Sequence, residues 1–288
     1  MLRRMDRAAA RVARRQARQA RRGHRVTAGA AWFVVAAGAA VAAGVLSVGT
    51  VWDLPAMFEP RQYIDVDGEA FEIPRPAASA GRLAPEVPVT TRGSHGFLHV
   101  DEVGNPVGYD PCRPVRYVVR PDGAPASGQV LVEEAIAIVA AATGLVFEDA
   151  GTTDEPPALD RALIQPDRYG EGWAPVLLAW SDESSFPELA GQVAGMGGSA
   201  AVPGSDGQGQ WLAAGRVVLD TADITAMLAR PDGHAQARAI VVHELAHVLG
   251  LDHVDDPTEL MHPVSAARTD LGPGDREGLA LLGQAACE

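Results

Sequence analysis

The stretch HELAHVLGLDH, residues 243–253, determines which fold and which chemistry this sequence indicates. His243 and His247 are four residues apart, so on a helix both side chains leave the same face, one turn apart. That spacing allows two imidazole nitrogens to reach one metal ion. Gly250 permits the left-handed backbone conformation that ends a helix, after which the chain can bring His253 back as a third ligand. The stretch therefore predicts a metal site with three histidine ligands.

Three neutral imidazoles leave one coordination position open, as in a catalytic rather than a structural zinc site. Zinc lowers the pKa of a bound water molecule to about 7, and a carboxylate takes its proton as the hydroxide attacks a carbonyl. Glu244 directly follows the first histidine and fits the role of this base, which then passes the proton to the leaving amine. We therefore expect one catalytic Zn²⁺ and Glu244-assisted attack of zinc-bound water on a peptide bond.

Residues 243–263, HELAHVLGLDHVDDPTELMHP, resemble the metzincin zinc metalloproteases, and among them the bacterial matrixin-like peptidases most closely. The resemblance implies that Met261 belongs to the Met-turn, a tight turn beneath the zinc ion. An ordinary core methionine is the alternative. Residues 271–283, LGPGDREGLALLG, are similar to the matrixin C-terminal helix, in which Asp275 is either a buried structural contact or an exposed acid at the helix start.

The chain also departs from the matrixin pattern. Val254 follows the third histidine where animal matrixins typically have serine, and Pro263 stands where some metzincins place a tyrosine that approaches the metal. His262 is expected to line a pocket rather than to catalyse. No cluster of additional histidines and aspartates suggests the structural zinc and calcium sites of those enzymes, so a second metal is not expected.

Strand and helix patterns alternate through residues 93–288, which indicates one α+β domain. The resemblance implies a metzincin-like zinc protease domain with a twisted, mostly parallel sheet, an active-site helix and a C-terminal helix. The Gly-rich stretch AGMGGSAAV at 194–202 is either the edge strand along which a substrate pairs or a plain loop. The predicted strands cover 115–119, 145–147, 176–180 and 216–219, and the predicted helices cover 127–142, 233–249 and 274–284.

The first 92 residues are predicted to form three segments that attach this domain to a membrane. Residues 1–27 hold ten arginines and one aspartate, whereas the whole chain has a formal net charge of -13. Residues 28–52 contain no charged residue. They are long enough to cross a bilayer as a transmembrane helix, which needs about 20 residues. The arginines before this helix should remain in the cytoplasm. Residues 53–92 are rich in proline and are predicted to form an extended linker.

This topology places the domain outside the cell membrane, anchored by a single helix. The alternative is a cleaved signal peptide with an unusually long basic region, which would release the domain as a secreted protein. In both cases the expected partner is a protein or peptide substrate outside the cytoplasm. No nucleic-acid partner is expected, and the sequence leaves the oligomeric state open.

The chain has only two cysteines, Cys112 and Cys287. An exported chain with one cysteine near each end of its folded domain favours a disulfide. Two alternatives stay open. Cys112, in DPCRPVR, would act as a zinc-blocking thiolate, as a cysteine of matrixin propeptides does, or both thiols would be free.

The sequence thus predicts a membrane-anchored zinc metalloendopeptidase. The alternatives are a catalytically weak zinc-binding sensory or binding module and a zinc hydrolase that acts on cell-wall amides. The intact Glu244 disfavours the first alternative, because a site that only binds has no need for a base. The three-histidine geometry of metzincin type favours peptides over the second.

Overall fold

The computed structural model describes residues 61–66, 69–191, 193–264 and 268–288. The predicted basic segment 1–27 and the predicted transmembrane anchor 28–52 lie outside the described residues. Within the described part of the chain, no helix is both long and apolar enough to cross a membrane.

The chain divides into two compact units, with the boundary between Glu72 and Ile73. The described part of the first unit is an antiparallel hairpin made of β1 (Tyr63–Val66) and β2 (Glu69–Glu72). Arg61 Nη1 donates to Glu72 Oε2 over 2.9 Å and so joins the two ends of the hairpin. This ion pair is exposed, so it adds little to stability.

The second unit contains the elements that position the site. Its strands are β3 (Gly96–Phe97), β4 (Val115–Arg120), β5 (Phe147–Thr152), β6 (Ile164–Gln165), β7 (Gly170–Trp173), β8 (Val176–Ser181), β9 (Gly195–Pro203), β10 (Gln210–Asp220) and β11 (Leu251–Asp252). Its helices are α1 (Gly128–Thr143), α2 (Pro166–Tyr169), α3 (Thr221–Leu228), α4 (Gly233–Leu249) and α5 (Pro273–Leu282), with a 3-10 turn at Pro187–Leu189.

A five-stranded sheet in the order β5-β4-β8-β10-β9 forms the centre of the second unit. The first four strands in this order run parallel, and β9 pairs antiparallel with β10 at the sheet edge. β8 is buried along its whole length, as expected for a parallel strand that is covered on both faces. The prediction of a mostly parallel sheet is confirmed, and the Gly-rich stretch at 194–202 forms an edge strand rather than a loop.

Helices α1 and α4 pack against each other, and α4 also packs on β9 and β10. The buried side of α1 repeats at a spacing of three and four residues, whereas α4 is buried around most of its circumference. Each buried leucine or valine contributes roughly 1.5–3 kcal/mol relative to an exposed one, so the core holds α4 firmly. The buried apolar residues of α4 are Ala237, Ala239, Val241, Val242, Leu245, Ala246, Val248 and Leu249.

Both long helices end at a glycine in the left-handed region. Gly144 has a φ of 71° after α1, and Gly250 has a φ of 115° after α4. The Gly250 N–H donates to the carbonyls of Ala246 and His247 over 3.1 Å each, which closes the helix. Glycine is required here because it has no Cβ to collide with the backbone.

The second half of the predicted Pro-rich linker, residues 73–92, is not a free spacer but part of the second unit. The Arg113 guanidinium donates to the Ala77 carbonyl over 2.6 Å, and the Gln284 side-chain amide donates to the Val87 carbonyl over 3.2 Å. Prolines keep this segment extended, and extended backbone carbonyls that lack strand partners can accept from nearby side chains. The second unit thus begins 20 residues before residue 93, the predicted start of the protease domain. We call residues 73–95 the N-terminal arm.

Cys112 and Cys287 form a disulfide, with their Cα atoms 5.5 Å apart. The predicted pairing is thus present in the structure, and the thiolate-switch and free-thiol alternatives do not apply to it. The bond links the residues before β4 to the segment after α5. It closes a loop with a sequence separation of 175.

Removal of this disulfide should destabilise the second unit. In the chain-entropy model, a loop of this length contributes about 5 kcal/mol, so we expect the double variant Cys112→Ser, Cys287→Ser to melt about 10 °C or more below the native chain. Scanning calorimetry of both proteins measures the difference. Reductant should lower the melting temperature of the native chain and leave that of the double variant unchanged. Equal melting temperatures for the two oxidised proteins would contradict this expectation.

Candidate metal centre

Three histidine side chains meet at the end of α4. His243 and His247 lie one turn apart on the helix, and His253 follows β11, which pairs with β3. The Nε2 atom of His253 lies 3.1 Å from the Nε2 atom of each of the other two. The three residues each offer a nitrogen to the same point, and among the described residues they form a group able to hold a metal ion.

Backbone carbonyls fix the orientation of two of these rings. His243 Nδ1 lies 2.8 Å from the Leu260 carbonyl oxygen, and His247 Nδ1 lies 2.8 Å from that of Leu251. A carbonyl only accepts, so each Nδ1 carries the proton and donates it. Each Nε2 therefore keeps its lone pair for a metal ion. This is the tautomer that a zinc ligand needs, and the donor set of three imidazole nitrogens fits zinc.

The same surroundings keep these two imidazoles uncharged at neutral pH. Burial, reinforced by the neighbouring His253, lowers the pKa of His243 to about 4. Burial also lowers the pKa of His247 well below its ordinary value, with His243 and His253 adding to the effect. Neutral imidazoles are the form that binds a metal. His253 is itself exposed, so the centre opens towards solvent on that side.

Glu244 lies on the side of α4 that faces the edge strand β9 and is only 7% exposed. A Cβ added at Gly195 would lie 2.8 Å from the Glu244 Cγ, and one added at Gly197 would collide with the Glu244 carbonyl. Because these two positions have no Cβ, the backbone of β9 can pack directly against α4 at Glu244. A Cβ at Gly198, which alternates to the other face, would meet no atom within 4 Å.

This enclosure changes the acidity of Glu244. Burial raises the pKa of the Glu244 carboxyl to about 8, and a hydrogen bond from the Gly197 N–H opposes the shift in part. A carboxyl whose pKa lies near neutrality is suited to accept a proton in one step and to return it in the next. A cation on the neighbouring histidines favours the carboxylate form of this group.

The turn that contains Met261 lies beside the three histidines. The Met261 side chain is 1% exposed, and the Val254 N–H donates to the Met261 carbonyl over 3.1 Å. Asp275 is also 1% exposed and accepts from the N–H groups of Leu260 and Met261. Asp275 is therefore a buried contact, not an exposed helix-start acid. His262 bonds to the backbone of Val264 instead of joining the three histidines.

The model of the matrixin peptidase family matches residues 183–282. The match supports a metzincin-type zinc metalloprotease domain in this part of the chain. The resemblance found in the sequence is confirmed, and the mixed sheet with its helices fits the metzincin fold. The matched segment runs from the loop before β9 to the end of α5 and includes all three histidines. No curated protein shows significant similarity to the chain.

Sequence reasoning missed two features of this candidate metal centre. It considered residues 194–202 as a substrate-pairing edge strand or as a plain loop, and did not predict that Gly195 and Gly197 face Glu244. The available signal was their spacing of two within a strand, which places both on one face. It also predicted no role for Glu259, which the fold buries almost completely, with 1% of its surface exposed.

The Gly195 contact predicts a specific loss of activity. Gly195→Ala places a methyl group against the Glu244 side chain, which has to move, and a displacement of about 1 Å can cost up to about 100-fold in rate. We expect kcat for peptide hydrolysis to fall about 10- to 100-fold, with little change in KM, zinc content or melting temperature.

Gly198→Ala is the matched control. Neither glycine has a positive φ, so alanine can adopt both backbone conformations, but the methyl group at 198 meets open space. This variant should retain the native kcat. Equal activities for the two variants would contradict the proposed contact.

Proposed function

We propose that this protein is a zinc metalloendopeptidase that hydrolyses peptide bonds of extracytoplasmic proteins. His243, His247 and His253 hold one catalytic Zn²⁺, and Glu244 acts as the general base. The observation that carries the proposal is the convergence of three imidazoles beside a buried carboxyl, within a segment that the matrixin model matches.

The donor set determines what the metal would contribute. When bound, zinc supplies Lewis-acid activation of a water molecule and of the scissile carbonyl. Glu244 removes the proton from the attacking water and delivers it to the nitrogen of the leaving amine. Its side chain packs against Gly195 of the edge strand β9. His243 and His247 remain neutral and oriented by their carbonyl partners.

The edge strand β9 offers a place for the substrate backbone. It forms the end of the five-stranded sheet, and β10 is its neighbour in that sheet. An extended peptide can add to such an edge through main-chain hydrogen bonds.

We further propose that the domain lies outside the cytoplasm, tethered by a single transmembrane helix within residues 28–52. The uncharged stretch behind ten arginines supports this topology. The disulfide supports export as well, because such bonds form and persist in oxidising compartments. A form secreted after signal cleavage is the alternative, and protein or peptide substrates are the proposed partners in both cases.

Substitution of the base separates metal binding from catalysis. Glu244→Ala should keep about one zinc ion per chain and lose several orders of magnitude in kcat, because the carboxyl moves protons but does not bind the metal. Zinc content measured by atomic emission and cleavage of a random peptide library, with sequencing of the cut ends, test both parts. Glu102→Ala, which removes an exposed carboxylate, is the control and should cleave as the native chain does.

Several outcomes would contradict the proposal. A Glu244→Ala variant that cuts peptides at the native rate rules out this mechanism. Zinc binding without cleavage of any peptide favours a binding module, and cleavage of cell-wall amides alone favours the other hydrolase class. Chelation should abolish peptide cleavage, and added zinc should restore it.

The proposed topology predicts where an external protease can act. On intact cells, added protease should digest the domain at 93–288, while full-length chain from untreated cells stays in the membrane fraction. Immunoblots against the two ends of the chain give the answer. A soluble form that begins near Ala43 would support the cleaved signal instead.

A further inference from the structure

Glu259 is a buried carboxylate for which the proposed mechanism has no use. It is 1% exposed and lies two residues before Met261. Its Oε2 atom accepts from the N–H groups of Gly274 and Asp275 over 2.9 and 3.0 Å. These groups belong to the first turn of α5, where N–H groups have no partner within the helix and a negative charge is stabilising.

Asp275 makes the same kind of contact in the opposite direction. From the first turn of α5, its Oδ2 atom accepts from the Leu260 N–H over 2.5 Å, and its Oδ1 atom accepts from the Met261 N–H over 3.2 Å. Each carboxylate therefore binds the backbone of the segment that carries the other. We call Glu259 and Asp275 the carboxylate clasp.

The clasp is connected to a metal ligand through one residue. The N–H of Leu260 is held by Asp275, and its carbonyl accepts from His243 Nδ1 over 2.8 Å. A shift of α5 relative to this turn would move the Leu260 carbonyl, and the imidazole would lose its fixed direction. The carbonyl partner of a metal-binding histidine typically affects metal affinity about 10- to 100-fold.

The surrounding backbone is shaped to admit the Glu259 side chain. A Cβ at Gly272 would collide with its Oε2 atom, and a Cβ at Gly93 would lie 2.6 Å from its Oε1 atom. Two segments distant in sequence thus leave room for one carboxylate.

We propose that Glu259 is a positioning residue of the metal centre. By binding the first turn of α5, it locks the clasp and holds the Leu260 carbonyl where it orients His243. This inference rests on the proposed function, since it requires that His243 binds the metal.

Zinc release tests the proposal on the full-length protein. Glu259→Ala removes both acceptor bonds, and Glu259→Asp keeps the charge but is one carbon too short to reach α5. We expect zinc to transfer to a chromogenic chelator about tenfold or more faster from both variants than from the native chain. Glu259→Gln keeps an acceptor oxygen at full length and should release zinc within threefold of the native rate. Glu102→Ala is the exposed control.

A purely structural role would give a different pattern. It would lower the melting temperature equally with and without zinc and leave zinc release unchanged. For a positioning residue, excess zinc should restore kcat in the Asp variant, while KM stays native throughout. Release from Glu259→Asp less than tenfold faster than native would overturn the proposal, and this variant decides if Glu259→Ala fails to fold. A native chain that binds no zinc would instead refute the proposed function before any variant is compared.

Discussion

The close contact between the edge strand β9 and helix α4 is the constraint on which the metal centre depends. Because Gly195 and Gly197 have no Cβ, the backbone of β9 packs directly against α4 at Glu244. The strand thus contacts α4 one residue after His243 and three residues before His247. The same contact excludes water from the carboxyl, and this burial raises its pKa to about 8. The packing of α4 beside these two histidines and the basicity of the carboxyl thus have one structural origin.

The orientation of the ligands also depends on the chain that follows α4. The Leu251 carbonyl, which holds His247, comes directly after the turn at Gly250, and the Leu260 carbonyl, which holds His243, comes from the Met261 turn. Both acceptors are backbone atoms, so their positions depend on the path of the chain and not on a side-chain rotamer. The turn at Gly250 therefore has two effects, because it returns the third histidine to the centre and supplies an acceptor to the second.

The convergence of the three histidines could be predicted from the sequence because they are local in the chain. The histidines lie within eleven residues, and the helix period together with the glycine turn at Gly250 brings them to one point. The role of Glu259 could not be predicted, since its partners on α5 lie 15 and 16 residues away and meet it only in the folded chain. The contacts of the N-terminal arm with the rest of the second unit could not be predicted for the same reason. Proline content predicts an extended backbone correctly, but it does not show that Arg113 and Gln284 donate to that backbone.

Helix α5 connects the centre to the distant parts of the domain. A helix of ten residues is not stable in water alone, so its position comes from its contacts. Glu277 accepts from the Gly93 N–H of the N-terminal arm over 3.0 Å, and Cys287 just beyond the helix is bonded to Cys112. The orientation of His243 therefore depends, through α5 and the clasp, on residues more than a hundred positions before it. The matrixin match at 183–282 contains all three histidines but neither Gly93 nor Cys112. A fragment cut to the matched residues would keep the ligands and lose the contacts that hold α5 in place.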